Sequence, residues 1–341
     1  MKIQNKFMSL VLIIALIAGF AYAGDVDRAG TTAGVQVQIP VGARTLGMSG
    51  SDIAYTGGVD ALFWNPAGLS DTKGRFDGLF SAAKNIAGIG TNYFALAFNT
   101  GANGVIGVSM KSLSIGEIPI TTVNDMDGES GATYSPSFSV IGVSYAKKLT
   151  DRINMGFTGK LIYESIPRAS ATGVAFDFGL QYKNLIDIEG LSLGLAIRNI
   201  GTNMQYTGTG LLVSATQGGE TYDDYMFHPT SSDQLPASME MGLSYKPTDM
   251  IMVSAVYQSS NSETDYLRVG TELNFGGMGF IRAGYAFQLN AGDVLGYSVY
   301  GLTLGAGVSF EINTTTINVD YVYRPAQLLG AENLICLGIG L

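Results

Sequence analysis

The residue types that most often carry catalysis are sparse in this chain, and their spacing matches no common catalytic signature. It has no G-x-S-x-G nucleophile turn, no glycine-rich phosphate loop ending in Lys-Ser or Lys-Thr, and no G-x-G-x-x-G fingerprint. The sole histidine, His228, lies beside Pro229 in a predicted loop, so multi-histidine metal sites are excluded. The single cysteine, Cys336, excludes an intrachain disulfide and a cysteine-based metal cluster. We therefore predict that the protein is not an enzyme and holds no cofactor and no metal.

Acidic residues in two predicted loops are the remaining metal-binding candidates. Carboxylate oxygens are preferred Ca²⁺ ligands, but neither group has the full EF-hand spacing. We therefore favour solvated loop charge over a calcium site in both groups. These are Asp125, Asp127 and Glu129 in the first loop, and Asp223 and Asp224 in the second.

Other charged side chains recur inside segments that alternate apolar and polar residues, and they keep mainly to the polar phase. If those segments close into a barrel, two interpretations are open. The charges could form a polar track for a solute, or a network of opposite charges that braces an internal plug against the wall. The nearly balanced signs favour the network. The residues are Lys160, Asp177, Arg198, Glu240, Arg268, Glu272, Arg282 and Asp320.

A long predicted loop, residues 200–235, is rich in aromatic residues and methionine. These side chains could form a surface that binds a partner or gathers a ligand, or they could be the loop's own small core. Both interpretations stay open. The residues concerned are Met204, Tyr206, Tyr222, Tyr225, Met226 and Phe227.

The alternation that positions these residues predicts β-strands, because successive side chains of a strand point to opposite faces. Leu191, Leu193, Leu195 and Ile197 alternate with small residues and Arg198, and the same period recurs along the chain. Each run is about eight to eleven residues long, which suits a tilted membrane-spanning strand. Fourteen runs are predicted: 76–84, 91–99, 104–111, 137–146, 153–163, 173–182, 191–199, 236–245, 251–258, 266–275, 279–287, 302–310, 316–323 and 333–341.

The lengths of the connections depend on whether they start at an odd-numbered or an even-numbered run. A soluble β-sandwich does not require such a pattern. Links from even to odd runs are short, as at 246–250 and 276–278, whereas the long links 112–136, 200–235 and 288–301 all run from odd to even. Short turns at one end and long loops at the other are typical of outer-membrane barrels. We therefore predict an all-β fold: a transmembrane antiparallel β-barrel of about 14 strands, residues 76–341.

The amino terminus and the composition agree with that class. Lys2 and Lys6 precede a mainly apolar run, 8–20, and the small-x-small site 21–23, which predicts a secretory signal peptide, residues 1–23, cleaved after Ala23. The chain has 46 glycines, only 14% charged residues and a net charge of −9. No later apolar stretch reaches the roughly 18 residues of a membrane helix. We expect outer-membrane lipid as the surroundings and no nucleic-acid partner.

Residues 24–75 precede the first predicted strand and are rich in glycine without clear periodicity. In strand number, a barrel of about fourteen strands lies between small barrels whose interior is filled by side chains and larger barrels that form open channels. Its interior therefore has room for an insert. We predict that this segment is a plug. Its proline and glycine residues suit tight turns, its only tryptophan suits an anchor, and Asn65 suits a backbone cap.

The same segment carries a recognisable motif in two blocks, 39–50 and 60–69. It resembles the N-terminal signature of the PorV/PorQ family, which is similar in architecture to the FadL transporters. The resemblance extends over the signal peptide, the fourteen strands and a Leu235-Pro236 start of the eighth strand. The plug motif residues are Pro40, Gly42, Arg44, Gly47, Trp64, Asn65, Pro66, Ala67 and Gly68.

The resemblance implies two functions. PorV-like proteins assist type IX secretion by receiving exported proteins and passing them to a surface-attachment complex. FadL-like proteins instead admit hydrophobic small molecules through a plugged barrel. On the resemblance, we favour binding of secretion-system components and exported proteins, with hydrophobic uptake as the alternative. One departure is that the last strand ends in Leu341 and not in an aromatic residue.

Overall fold

A computed structural model describes residues 28, 30–217, 220–289 and 299–341, with only the backbone of residues in the range 215–224. The predicted signal peptide, residues 1–23, lies outside the described residues. Fourteen long strands of the described part form the barrel wall. They are β1 Phe76–Lys84, β2 Gly90–Asn99, β3 Val105–Ser114, β4 Ser137–Lys148, β5 Ile153–Ile166, β6 Ala169–Lys183, β7 Leu191–Gly201, β8 Ser238–Tyr245, β9 Ile251–Ser260, β10 Tyr266–Phe275, β11 Gly279–Gln288, β12 Leu302–Ile312, β13 Thr315–Ala326 and β14 Gly330–Gly340.

Each strand pairs antiparallel with its neighbour in the chain, and β14 returns to pair with β1, so the barrel is closed. In the closing register, Gly78 lies opposite Ile339 and Ser81 lies opposite Cys336. Closure removes the unpaired edges that an open sheet would expose. The prediction of an all-β transmembrane barrel of fourteen antiparallel strands is confirmed.

The strand bounds differ from the predicted ones mainly at the long-loop end. β5 continues to Ile166, and β6 already starts at Ala169. The two strands are therefore joined by a two-residue turn, in which Arg168 has a φ of 66°. β8 starts at Ser238, two residues later than predicted, and leaves Pro236 outside the strand. Proline has no N–H to give to the ladder, so its exclusion from a wall strand has a direct physical cause.

Burial follows the two faces of each strand. On β2, Phe94 and Phe98 point outward and are exposed, whereas Tyr93, Ala95 and Ala97 point inward and are buried. The outward apolar side chains form the surface that meets lipid in a transmembrane barrel. None of the helices in the described residues is long and apolar enough to cross a membrane.

The two ends of the barrel differ. The short-turn end has connections such as 149–152 and 276–278, and the wall begins and ends there, because Phe76 N–H donates to the Leu341 carbonyl at 3.1 Å. The long-loop end carries 115–136 and 202–237. These loops contain the short hairpins Ile118–Pro119 with Thr133–Tyr134, Met204–Gln205 with Ser232–Asp233, and Leu212–Gln217 with Glu220–Phe227.

The few helical turns are short. Residues 30–75, here called the N-terminal segment, contain α1 Ala43–Gly47, α2 Ala61–Trp64 and the 3-10 turns Val35–Val37, Gly58–Asp60 and Pro66–Asp71. Further 3-10 turns lie in connections at Ile86–Gly88, Gly101–Asn103, Leu185–Asp187 and Thr209–Leu211.

The N-terminal segment lies inside the barrel, in contact with inward-facing positions around the wall. A Cβ added at Gly156 on β5 would lie 2.2 Å from the carbonyl carbon of Pro66. One added at Gly284 on β11 would lie 2.3 Å from the carbonyl carbon of Met48. Glycine at these wall positions lets two backbones meet without a side chain between them. The segment runs from Ala33, which donates to the Gln234 carbonyl in a long loop, to the short-turn end at residue 75.

Candidate functional site

One half of the lumen wall carries buried charges that pair with one another across neighbouring strands. Lys160 Nζ lies 2.5 Å from Asp177, and Arg198 pairs with Glu240. Arg268 reaches the same Glu240 oxygen at 3.4 Å. A buried charge is tolerated only when it is paired and hydrogen-bonded, so these side chains hold each other in place. Paired in this way, they form a rigid polar wall and not an open row of ligand-binding groups.

A second charge group joins the wall to the N-terminal segment. Arg44 on α1 donates from Nε to Glu272 Oε2 at 3.2 Å. Glu272 also accepts from Arg282 at 2.7 Å, and Arg282 reaches Asp320 at 2.6 Å. The eight charges predicted to face the lumen therefore form three sets of ion pairs: Lys160 with Asp177, Glu240 with Arg198 and Arg268, and Arg282 with Glu272 and Asp320. The last set connects directly to the segment through Arg44.

The motif residues of the segment are buried and make specific contacts. Asn65 Nδ2 donates to the carbonyls of Ile53 at 2.9 Å and Leu180 at 3.3 Å, while its Oδ1 accepts from Ala67 N–H at 3.2 Å. Asn65 thus caps the turn Pro66–Asp71 and ties it to β6. A side chain with both a donor and an acceptor is needed there.

Trp64 makes contacts within the N-terminal segment and also with a charged side chain of the wall. Its Nε1 donates to the Val41 carbonyl at 2.9 Å, and its ring meets the Phe63 ring edge to face at 5.0 Å. The guanidinium carbon of Arg198 lies 5.7 Å from the Trp64 ring centroid and 5.2 Å from that of Phe63. Trp64 therefore contacts both the segment and the charged wall.

The backbone turns of the two motif blocks require small residues. Gly42 precedes α1 with a φ of 83°, and a Cβ on Gly68 would lie 2.1 Å from the Thr56 carbonyl oxygen. A Cβ added at Gly47 on α1 would lie 3.3 Å from Gly305 and from Arg282 on the wall. Pro40 lies in the irregular stretch before α1.

The other side of the lumen carries an apolar cluster. A buried cluster joins the segment to β13, β14, β1 and β2, and we call this contact the apolar seam. Its wall residues include Leu79, Tyr93, Ala95, Val322, Leu334 and Cys336. Its segment residues include Val41, Ala43, Leu62, Phe63 and Trp64. Wall and segment thus both contribute large apolar side chains to this contact.

A cavity of about 1100 Å³ opens at the short-turn end, and we call it the vestibule. Its outer part is lined by residues of turns and strand ends, including Lys246, Asp249 and Leu341. Its inner part reaches the Arg44–Glu272 pair and, on the apolar side, Leu79. The vestibule therefore touches both the charged group and the apolar seam.

Two carboxyl groups of the N-terminal segment lie near this inner part and outside the membrane-spanning strands. Burial, together with repulsion by the Asp320 carboxylate, raises the pKa of Asp60 from 3.8 to about 7. Burial also raises the pKa of Asp52 to about 6, against the opposing effect of Arg44. The segment thus carries carboxyl groups that change charge near neutral pH.

At the long-loop end the segment is fastened to the loop 202–237. Glu164 on β5 accepts from Gly34 N–H at 3.1 Å and from the Tyr206 hydroxyl at 2.5 Å. Met204 and Leu235 from the loop pack with Val37 of the segment in a second buried cluster. The lumen at this end is filled by the segment and the base of the loop.

The predicted partner loop places its apolar side chains on an exposed hairpin. Tyr225, Met226 and Phe227 have exposed fractions of 66%, 61% and 47%. The side chain of Tyr222 lies outside the described residues. In contrast, Met204 is fully buried and Tyr206 is partly buried, so the base of the loop forms a small core, whereas Tyr225, Met226 and Phe227 stay exposed.

Of the acidic loop residues, Asp125 is used within its own loop. Its two carboxylate oxygens accept from the Glu129 and Ser130 N–H groups at 2.8 and 2.9 Å. Within the described residues, no group of three or more potential metal ligands comes together.

Sequence reasoning missed several lumen residues. Lys111 on β3 is buried, donates to the carbonyls of Val37 and Ile39, and lies 4.6 Å from the Phe63 ring centroid. Its position in the polar phase of β3 could have revealed it. Asp60 had no such signal, because its surroundings depend on how the segment folds.

Comparison with known proteins finds similarity at the level of the fold. No protein-family model and no curated protein matches the chain. The toluene transporter TodX of Pseudomonas putida is 15% identical, with 87% of this chain and 96% of that chain covered and a TM-score of 0.52. The toluene transporter TbuX of Ralstonia pickettii gives 15% identity, the same coverage and a TM-score of 0.54.

A FadL homologue of Pseudomonas aeruginosa is 14% identical, with 88% and 98% covered and a TM-score of 0.51. The predicted similarity to FadL-type barrels is therefore confirmed for the fold. The PorV/PorQ resemblance stays a prediction.

Proposed function

We propose that this protein is an outer-membrane channel for hydrophobic small molecules, and that the N-terminal segment closes it as a plug. The single observation that carries the proposal is the closed fourteen-strand barrel with its own amino-terminal chain packed through the lumen. The same architecture in TodX and TbuX, which are described as toluene transporters, supports it. In this arrangement the signal peptide is removed after Ala23 and the short-turn end faces the periplasm.

The arrangement of the lumen supports a hydrophobic cargo over a hydrophilic one. At the long-loop end, the segment and the base of loop 202–237 meet in a buried apolar cluster. A water-filled pore for sugars or ions would need that part open and polar. The apolar seam supplies a further side of the lumen along which a nonpolar molecule could be accommodated.

Uptake into proteoliposomes tests the proposal. Purified barrel in phospholipid vesicles should accelerate the entry of radiolabelled toluene supplied at low concentration, compared with vesicles that contain no protein. The same vesicles should not swell in a hydrophilic sugar of similar size. Equal toluene entry with and without protein, or rapid swelling in the sugar, would contradict the proposal.

A second candidate function is protein docking in secretion or surface attachment, as the PorV/PorQ resemblance implies. The specific observation in its favour is the exposed apolar side chains of Tyr225, Met226 and Phe227, which lie on the second strand of the hairpin Leu212–Gln217 with Glu220–Phe227. Exposed apolar groups of this kind often mark interaction surfaces. The partners would be secretion-system components or exported proteins.

A pull-down from detergent-solubilised outer membranes tests this candidate. The variant Tyr225→Ser/Met226→Ser/Phe227→Ser should lose a secretion component or exported protein that the unaltered barrel retains. The matched control is Val123→Ser/Met126→Ser, because those side chains are equally exposed on the other long loop. If neither barrel retains such a protein, or if both variants retain it equally, the docking role fails.

A further inference from the structure

The N-terminal segment is fastened unevenly to the barrel wall. On the side of β6 to β12 it makes strong polar contacts. Ser51 Oγ lies 2.6 Å from Ser254 Oγ, and Gln181 Nε2 donates to the carbonyls of Ile53 and Thr56 at 3.0 and 2.8 Å. The Arg44–Glu272 pair lies on the same side. Breaking such buried contacts leaves unsatisfied polar groups, which is unfavourable.

Across the apolar seam the described contacts are mainly van der Waals contacts. Ala43 N–H lies 3.1 Å from the Cys336 sulfur, which is a weak acceptor. At the short-turn end of the seam, Val59 N–H donates to Asp77 at 3.2 Å. Separation of the segment from β14, β1 and β2 therefore exposes mostly apolar surface, and an apolar solute placed between them would cover that surface again.

The seam also leads directly into the vestibule. Leu79 and Val59 belong both to the buried cluster and to the vestibule lining. The wall of the seam combines small residues such as Ala95 and Cys336 with larger apolar ones, and Phe63 and Trp64 of the segment belong to the same buried cluster. Displacement of these side chains would open a path that ends in the vestibule.

We propose that the lumen opens along the apolar seam, so that small uncharged hydrophobic molecules pass between the N-terminal segment and β14, β1 and β2 while the opposite side stays attached. This inference rests on the proposed function. An uncharged solute suits this path better than a charged one, because a charged group would be desolvated against Leu79, Ala95 and Leu334.

Two disulfide locks distinguish the sides of the segment. The seam lock is Ala43→Cys, whose backbone nitrogen already lies 3.1 Å from the Cys336 sulfur. The opposite lock is Ser51→Cys/Ser254→Cys in a Cys336→Ser background, where the two side-chain oxygens lie 2.6 Å apart. Both pairs have short approaches compatible with a disulfide. The reduced form of each variant is its own folding control.

We expect the oxidised seam lock to slow toluene uptake at least about tenfold and reductant to restore it, whereas the opposite lock changes uptake less than about twofold. If both locks block uptake, the segment must leave as a whole and the seam proposal is overturned. It is equally overturned if neither lock blocks uptake, or if only the opposite lock does.

A second measurement separates this inference from the proposed function. Alkylation of Cys336 by a small uncharged maleimide in the unaltered barrel needs the seam to open but does not depend on transport. We compare the alkylation rate of each cysteine in the folded barrel with its rate in the unfolded protein. This ratio should be higher for Cys336 than for the cysteine of the Ser254→Cys variant in the Cys336→Ser background. If the barrel does not transport toluene but shows this difference, the proposed function is refuted while the seam proposal stands. Equal or reversed alkylation rates refute the seam.

Discussion

Arg44 on α1 is bound to Glu272 on β10, with Nε and Oε2 3.2 Å apart, and this pair joins the N-terminal segment to the wall at the inner end of the vestibule. Glu272 is itself held by Arg282. The carboxylate therefore bridges a cation of the segment and a cation of the wall. Because the wall cation remains when Arg44 is removed, the contact can be tested without leaving Glu272 entirely unpaired.

Substitution Arg44→Ala should lower the free energy of unfolding in detergent by about 1–3 kcal/mol, less than the full loss expected for a buried pair because Glu272 keeps Arg282. It should also make the segment more susceptible to added protease. Urea titration and limited proteolysis measure the two effects. The control is Arg152→Ala, which removes an exposed pair with Asp187 and should change neither. Equal effects of both substitutions would show that Arg44 does not fasten the segment.

Substitution of Asn65 tests the cap on the turn Pro66–Asp71. Asn65→Ala should destabilise the barrel by about 1–3 kcal/mol, because it removes a donor to the Leu180 carbonyl and the acceptor of the Ala67 N–H, whereas the Ile53 carbonyl keeps its bond from Gln181. Asn65→Asp should be at least as damaging, since a carboxylate cannot donate to those carbonyls. Urea titration of both variants tests this. A harmless Asn65→Asp would mean that only the bond from Ala67 N–H matters.

The strands were predictable from sequence because each wall residue faces either lipid or the lumen, and this imposes a strict period of two. The predicted run 266–275 coincides with β10, and Arg268 and Glu272 within it lie in the inward phase. The closing pairs, such as Ser81 with Cys336, join the two ends of the barrel, and no local pattern specifies them.

The interior was only partly predictable, because the segment has no regular period and its path depends on the wall. The need for Asn65 to cap a turn is visible in its local sequence, but its donation to Leu180 on β6 is a tertiary contact. Similarly, the polar phase of the strands reveals Arg198, whereas its pairing with Glu240 depends on the register between β7 and β8.

The pH dependence of stability should reveal Asp60. A carboxyl whose pKa is higher in the folded state takes up protons on folding, so stability should rise as the pH falls from about 7 towards about 4. Asp60→Asn should remove the Asp60 share of this dependence, leaving that of Asp52 below about pH 6, and should raise the free energy of unfolding at pH 8 because no charge is then buried. The expected gain is about 1–2 kcal/mol, since vestibule water screens part of the effect. At pH 4 the variant and the unaltered protein should be alike.

Urea titrations at pH 4, 6 and 8 would measure the Asp60 effect. Asp151→Asn, in an exposed turn at the same end, removes the same formal charge without the burial and should leave the profile unchanged. A profile that is equally steep in the Asp60→Asn barrel would assign the pH dependence to other carboxyl groups.

Two glycines on one strand test how closely the segment and wall approach. At Gly156 on β5 an added Cβ would meet the Pro66 backbone at 2.2 Å, whereas at Gly159 on the same strand the nearest atom lies at 3.9 Å, on Phe176. Gly156→Ala should therefore force the turn Pro66–Asp71 away from the wall and cost at least about 1–3 kcal/mol, as overpacking of a filled interior does. Gly159→Ala should be neutral or slightly stabilising, because alanine loses less chain entropy on folding than glycine does.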